Sequence, residues 1–174
     1  MEYRRFGLDS DILAFFPIKQ TLRLILENHD YQSRILPLST LPGSIPHSLS
    51  EKADILLILY YDDFEIVNPI GTYRKKHKLG GIYFSIANLD PRFRSKLSAI
   101  HPIGLLKCAE MDDDLFQSAL SLIVDEINSA SEIHAAGRIW RVRVHSVIGD
   151  TPASAAMGYY YIFPFYIKRL IGCG

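Results

Sequence analysis

A continuous apolar run at residues 55–59, ILLIL, leads through Tyr60 and Tyr61 into two adjacent carboxylates, Asp62 and Asp63. An uninterrupted run of this length is typical of a strand that is buried on both faces in an α/β sheet. In open α/β sheets, the chemistry lies just beyond the carboxyl ends of the strands. We therefore expect a first strand at residues 55–61 and candidate catalytic carboxylates directly after it.

The rest of the chain supplies three more strands and a long helix. Residues 80–87, GGIYFSIA, are rich in β-branched and aromatic residues, and residues 99–107 read as a strand with a bulge or an edge at Pro102 and Gly104. Residues 139–148, IWRVRVHSVI, alternate with the period of a strand and lead into Asp150. Between the third and fourth strands, residues 111–129 form the clearest helix pattern, with an apolar side that consists of Leu115, Leu120, Leu122, Ile123 and Ile127.

The N-terminal part differs in composition from the rest. Residues 17–28 have the spacing of an amphipathic helix, and residues 36–50 contain three prolines and a glycine, which is typical of a loop or linker. We therefore predict an N-terminal helical segment and linker at residues 1–50, followed by the domain proper at residues 51–174. The length and the 48% apolar content suit a folded chain.

Charge and cysteine usage limit the possible partners. The 19 basic and 19 acidic residues cancel, so any surface for DNA must be local. The two cysteines fit neither a zinc spacing nor a disulfide framework, so we expect a reducing, intracellular setting without a secretion signal. The apolar segment 157–171 contains a proline and two cations, and a membrane span is not favoured.

Two basic clusters are candidates for local contacts with DNA phosphates. The first cluster lies at residues 74–78, and its alternative interpretation is a solvated hairpin tip, which is the commoner role of a short charged segment. The candidate residues are Arg74, Lys75, Lys76, Lys78, Arg92 and Arg94.

Three phrases, YYDDFEIVNPIG, HKLGGIYFSIANLDPRFRS and VIGDTPASAAMG, resemble the core of the CACTA-like transposases of the DDE class. The order of elements resembles the first part of the ribonuclease-H-like fold, an α/β fold in which three antiparallel strands and a helix precede a strand parallel to the first. The resemblance implies cleavage and strand transfer of DNA in the nucleus. It also implies catalytic carboxylates at Asp62, Asp63 and Asp150, with Asp63 and Asp150 as the metal ligands, although the choice between Asp62 and Asp63 stays open.

The implied cofactor is Mg²⁺ or Mn²⁺. Carboxylates are natural ligands of these hard cations. Two such ions, about 3.5–4 Å apart, can stabilise both the entering and the leaving oxygen of a phosphodiester. Without the resemblance, two acids after a strand equally suit a solvated turn.

The sequence departs from the family pattern after Gly158. The family has a Cys-x-x-Cys pair and a third acid there, whereas this chain continues as YYYIFPFYIKRLIGCG. We therefore expect an incomplete core with an aberrant apolar tail from about residue 159. On this interpretation the protein is a fragment of a transposon-derived transposase and is inactive alone. The alternative is a non-catalytic module of the same origin that binds DNA or protein.

Overall fold

The structure is a computed structural model and describes residues 4–6, 13–40, 53–65, 78–107 and 113–149. Its helices are α1 (Ile18–Glu27), α2 (His29–Gln32), α3 (Pro91–Arg94) and α4 (Asp113–Ser129). Its strands are β1 (Arg4–Phe6), β2 (Leu13–Phe15), β3 (Ile55–Glu65), β4 (Lys78–Ile86), β5 (His101–Leu106), β6 (Glu132–Ala135) and β7 (Arg138–Gly149).

Within these ranges, seven strands form one mixed sheet in the order β1-β2-β5-β4-β3-β7-β6. Strands β3, β4 and β5 are antiparallel neighbours, and β7 lies parallel to β3 on its other side. Helix α4 lies between β5 and β7 in the chain, which gives the parallel pair the long connection it needs. The fold is therefore α/β, and the predicted parallel pairing of these two strands is confirmed.

Strand β3 is longer than the sequence predicted. Its antiparallel ladder with β4 continues to Glu65, so Asp62 and Asp63 lie inside the strand and not after it. The described parallel ladder with β7 ends where Gly149 lies opposite Tyr61. The predicted boundary at residue 61 was wrong because β4 keeps β3 extended beyond the last described residue of β7.

Helices α1 and α4 pack on one face of the sheet, where they form the main core. Alternate residues of β3 join this core, and the residues between them face the other side, where Leu56 packs with Leu38, Ala53 and Ala87. Leu122 was predicted on the apolar side of α4, but it is exposed. The members of the main core from α1, β3 and α4 include Ile18, Leu22, Ile25, Leu26, Ile55, Leu57, Leu59, Tyr61, Ala119, Ile123 and Ile127.

Residues 13–40 share the sheet and the core of the later residues. Strand β2 pairs with β5, with Phe15 opposite Gly104, and α1 is the amphipathic helix that the sequence predicted at residues 17–28. Phe15 and Leu22 belong to the same buried cluster as Leu59. The part predicted as an N-terminal segment therefore contributes to one hydrophobic core with residues 53–149.

Strand β6 and the hairpin that joins it to β7 were not predicted. Ala135 pairs with Arg138, so the turn has two residues, Ala136 at φ 51° and Gly137 at φ 73°. Two positive φ values are the signature of a type I′ turn, the tightest common hairpin connection. The turn brings Trp140 into the core, where its indole N–H donates to the carbonyl of Ala135 at 3.2 Å.

Strand β7 contains a bulge at His145. Val144 lies opposite Leu57 and Ser146 lies opposite Ile58, so His145 is the extra residue. Before the bulge the even-numbered residues face the core; after it Val147 packs against the core and Ile148 is 47% exposed. The residues of β7 that face the core are therefore even-numbered before the bulge and odd-numbered after it. Ile139, the first apolar residue of the predicted alternating segment at residues 139–148, is exposed.

Some sequence predictions concern parts of the chain that the structure does not describe. The linker beyond residue 40, the basic residues before Lys78 and the apolar segment 157–171 lie outside the described residues. Among the described residues, no helix combines the length and the apolar character needed to cross a membrane.

Candidate functional site

The candidate site lies at the carboxyl end of β3. Asp62 pairs with Gly81 and Asp63 pairs with Gly80, both on β4. Because side chains alternate along a strand, positions 62 and 63 belong to opposite faces of the sheet. Position 63 is on the face of Tyr61 and the helices, and position 62 is on the face of Tyr60. A third carboxylate on a neighbouring strand can therefore share a face of the sheet with position 62 or with position 63, but not with both.

Aromatic side chains surround the exposed Asp62. The rings of Tyr60 and Tyr83 are stacked, with centroids 5.3 Å apart and an angle of 11° between their planes. Phe64, two residues beyond Asp62, lies over Gly81, where an added Cβ would be 3.2 Å from Phe64 Cε1. A glycine opposite Asp62 thus allows the ring of Phe64 to lie across β4.

Asp62 influences the ionisation of a neighbouring tyrosine on this face. Burial raises the pKa of the Tyr83 hydroxyl, and the negative charge of Asp62 and the neighbouring hydroxyl of Tyr60 raise this pKa further. Tyr83 therefore stays protonated at neutral pH and is available as a hydrogen-bond donor. The field around Asp62 favours a cation, which is what a metal ligand requires.

The remaining predicted site residues are only partly covered by the structure. Asp150, Arg74, Lys75 and Lys76 lie outside the described residues, and Lys78 is described as the first backbone position of β4. Among the described residues, no three His, Cys, Asp or Glu side chains form a group that could hold a metal ion.

Arg92 and Arg94 lie at the opposite end of the sheet from Asp62. They belong to α3, which follows the end of β4 at Ile86, whereas Asp62 pairs near its beginning, at Gly81. Five residues of strand separate those two positions, or about 17 Å at the usual rise. The guanidinium of Arg92 binds the Asp90 carboxylate at 2.7 Å and that of Arg94 donates to the carbonyl of Ala87 at 2.6 Å.

Asn88, at that same end, is a structural residue that sequence analysis did not single out for this role. Its Oδ1 accepts a hydrogen bond from the Leu56 backbone N–H at 3.0 Å. Its Nδ2 donates to the carbonyls of Leu36 and Asp54 at 2.9 and 3.0 Å. The side chain is fully buried and joins three chain segments. A polar residue after a predicted strand does not distinguish such a cross-link from an ordinary turn.

Asp54 is a second polar anchor that the sequence analysis missed. Its carboxylate binds Arg141 Nε and Arg138 Nη2, each at 3.0 Å, and ties the start of β3 to the β6–β7 hairpin. Partial burial alone would raise the pKa of Asp54. The hydrogen bonds and the charge of Arg141, together with the charge of Arg138, outweigh that effect and hold the pKa below its ordinary value.

Comparison with known proteins finds no protein-family model that matches this chain. A search of curated proteins also finds no significant match.

Proposed function

We propose that this chain is a transposon-derived, ribonuclease-H-like domain of the DDE transposase class that holds a divalent cation at the carboxyl end of β3. The observation that supports this proposal is the parallel pairing of β3 with β7, in which Tyr61 lies opposite Gly149. Asp62 follows Tyr61, and Asp150 follows Gly149 in the sequence. Two carboxylates that follow paired positions of parallel strands belong to the same end of the sheet.

Covalent geometry limits the separation of these two acids. Neighbouring strands lie about 4.8 Å apart, and successive Cα atoms about 3.8 Å apart. The Cα atoms of Asp62 and Asp150 can therefore be no more than about 12 Å apart, whatever the conformation of residue 150. Within this range two aspartates reach a common cation only when their side chains lie on the same face of the sheet, which the register decides.

The register favours Asp62 over Asp63 as the partner of Asp150, and so revises the pair that the sequence analysis preferred. If the pairing continues for one more residue, Asp150 comes opposite Asp62 and on the same face of the sheet. The bulge at His145 decides this alignment, because without the extra residue the same continued pairing would place Asp150 on the face of position 63. The exposed carboxylate of Asp62 suits Mg²⁺ or Mn²⁺, which prefer oxygen ligands.

When bound, such a cation stabilises charge on the oxygens of a phosphodiester. The residues of the chain have simpler roles in this proposal. Asp62 and Asp150 supply anionic ligands, and β4 holds Asp62 in extended backbone through the pairing with Gly81. The substrate that follows from the resemblance is DNA, and the ancestral reaction is its cleavage and strand transfer.

The test is a titration with Mn²⁺, followed by the loss of the free-ion electron paramagnetic resonance signal. We expect the wild-type protein to bind, Asp62→Asn and Asp150→Asn each to weaken binding at least about 10-fold, and Asp63→Asn to bind as the wild type does. Glu132→Gln on β6 is the matched control, because it removes an exposed carboxylate elsewhere. Circular dichroism would verify that every variant is folded.

Each other outcome has a definite meaning. Equal binding by all variants, or loss of binding with Asp63→Asn alone, would contradict the assignment of Asp62. If the wild-type protein does not bind Mn²⁺, the metal-dependent proposal fails and the non-catalytic binding module becomes the better account. DNA cleavage in Mn²⁺ that disappears with Asp62→Asn would extend the proposal from binding to catalysis.

A further inference from the structure

Phe93 of α3 is the centre of a cluster of cations at the end of the sheet away from Asp62. Its ring is half-buried and packs against the main core, which holds it in place. Three cationic groups lie within 6.0 Å of the ring centroid, close enough to be attracted by the π system. They are the guanidinium of Arg34 at 4.0 Å, the ammonium of Lys96 at 4.6 Å and the guanidinium of Arg92 at 6.0 Å.

The positive charge of this Phe93 cluster is only partly neutralised. Asp30 pairs with the Arg34 guanidinium at 2.5 Å, but the aspartate side chain is 77% exposed, so water weakens this pair. Asp90 pairs with Arg92 at 2.7 Å. Among the residues that the structure describes, no carboxylate pairs with Lys96. The cluster therefore carries an excess of positive charge.

A fourth cation, Arg94, adds to this excess. Its guanidinium donates to the carbonyl of Ala87 at 2.6 Å and has no carboxylate partner in the described part of the chain. The effect on an anion is visible at Asp90. Hydrogen bonds from the side chain and backbone of Arg92, with the charges of Arg92 and Arg34, lower the pKa of Asp90 to about 2. The surroundings of the cluster thus stabilise negative charge.

An exposed leucine directly follows the cluster in the chain. Leu97 is 84% exposed, the largest value among the large apolar side chains that the structure describes. Ile100, at the end of the same helical turn, is 38% exposed. Removal of such side chains from water is favourable. A partner that covers Leu97 as well as the cations must offer an apolar group next to its anionic groups.

We propose that the Phe93 cluster and Leu97 form a docking surface for an acidic peptide segment of a partner protein, in which an apolar side chain lies among several carboxylates. The carboxylates bind the cations, and the apolar side chain covers Leu97. Arginine and aromatic residues are enriched in protein–protein interfaces. A DNA backbone would also satisfy the cations, but it would leave Leu97 in water. The proposal does not depend on the metal site, which lies at the other end of the sheet.

The test begins with a random peptide library displayed on phage, selected against the folded wild-type protein. We expect the enriched peptides to combine aspartate or glutamate with large apolar residues. The most enriched peptide is then synthesised with a fluorescein label, and its affinity is measured by anisotropy. Lys96→Glu should weaken its binding at least about 10-fold and Leu97→Ala at least about 5-fold. Lys96→Arg keeps the charge and should keep the affinity.

Two positions on α1 supply matched controls. Lys19 is an exposed lysine, and Leu24 is a leucine that is 52% exposed. Lys19→Glu and Leu24→Ala should therefore bind the peptide as the wild type does. Added salt should weaken binding by the wild-type protein, because salt screens exposed charges. Circular dichroism would verify that every variant is folded.

The other outcomes count against the docking surface. No enrichment, or enrichment of peptides that lack acidic residues, would overturn it, as would equal losses in the α1 controls. The same variants are also measured with a duplex oligodeoxynucleotide. DNA binding that depends on Lys96, with no such dependence for the peptide, would assign the cluster to DNA instead. Asp62→Asn should bind the peptide as the wild type does, so failure of the metal site and failure of this surface are distinguishable.

Discussion

The side-chain oxygen of Asn88 accepts a hydrogen bond from the backbone N–H of Leu56 at 3.0 Å, across 32 residues of sequence. Leu56 is the second residue of β3, and Asn88 follows the end of β4. This contact therefore closes the two central strands at the end of the sheet away from Asp62. It is buried, so it is protected from competition with water.

Replacement of Asn88 by alanine should destabilise the fold by about 2–4 kcal/mol, because a buried N–H and two carbonyls lose their partner. Urea unfolding followed by circular dichroism would measure this difference. The control is Ser95→Ala, an exposed position after α3, which should change stability by less than about 0.5 kcal/mol. An unchanged unfolding midpoint for Asn88→Ala would contradict the cross-linking role.

Replacement of Ala136 by asparagine should stabilise the protein by about 0.5–1 kcal/mol, since asparagine tolerates the positive φ of this turn better than alanine does. Replacement of Gly137 by alanine should cost about 1 kcal/mol through the backbone alone, because a Cβ there meets no atom within 4 Å. Thermal unfolding of both variants would check the pair. Changes of the same sign would argue against the type I′ turn.

Replacement of Asp54 by asparagine should lower stability at pH 7 and leave it nearly unchanged in acid. The pKa of Asp54 is depressed in the folded protein, so its contribution is present above the ordinary value of 3.8 and disappears as the pH falls through the lower folded value. Unfolding midpoints of both proteins between pH 7 and pH 2 should therefore converge. Asp30→Asn is the control, because Asp30 forms an ion pair with Arg34 in which the aspartate side chain is largely exposed.

His101 should make stability depend on pH near neutrality, at higher pH than Asp54 does. Burial lowers the pKa of His101, whose Nε2 lies 3.3 Å from the Tyr31 hydroxyl. Protonation then favours the unfolded chain, so the contribution is complete above pH 6.5 and is lost as the pH falls through the folded pKa. His101→Gln should remove this dependence between pH 7.5 and pH 5. The exposed His134→Gln should retain it.

Much of the central fold could be predicted from the sequence because its signals are local. The run at residues 55–59 and the amphipathic pattern at residues 17–28 correspond to β3 and α1. Strands β1 and β2 have three residues each and depend on pairing with distant residues, so they leave no periodic pattern. Strand β6 has four residues and lies in the short connection between the predicted helix at residues 111–129 and the predicted strand at residues 139–148.

The site was less predictable because it depends on pairing. The sequence identified the carboxylates Asp62 and Asp63, but it could not assign them to faces, since an uninterrupted apolar run shows no alternation. The ladder with β4 fixed their faces, and the ladder with β7 showed which of them follows the position opposite Gly149. The stacking of Tyr60 on Tyr83 likewise required the register, because 23 residues separate them in the chain.

The extra residue at His145 makes the length of β7 as important as its composition. A single-residue deletion between Val144 and Gly149 would invert every later side chain, burying Ile148 and exposing Val147, although each residue remained the same. A second, compensating insertion before the strand's end would restore the original orientation. Among descendants of this domain, substitutions along β7 should therefore be tolerated much more often than changes in the number of its residues.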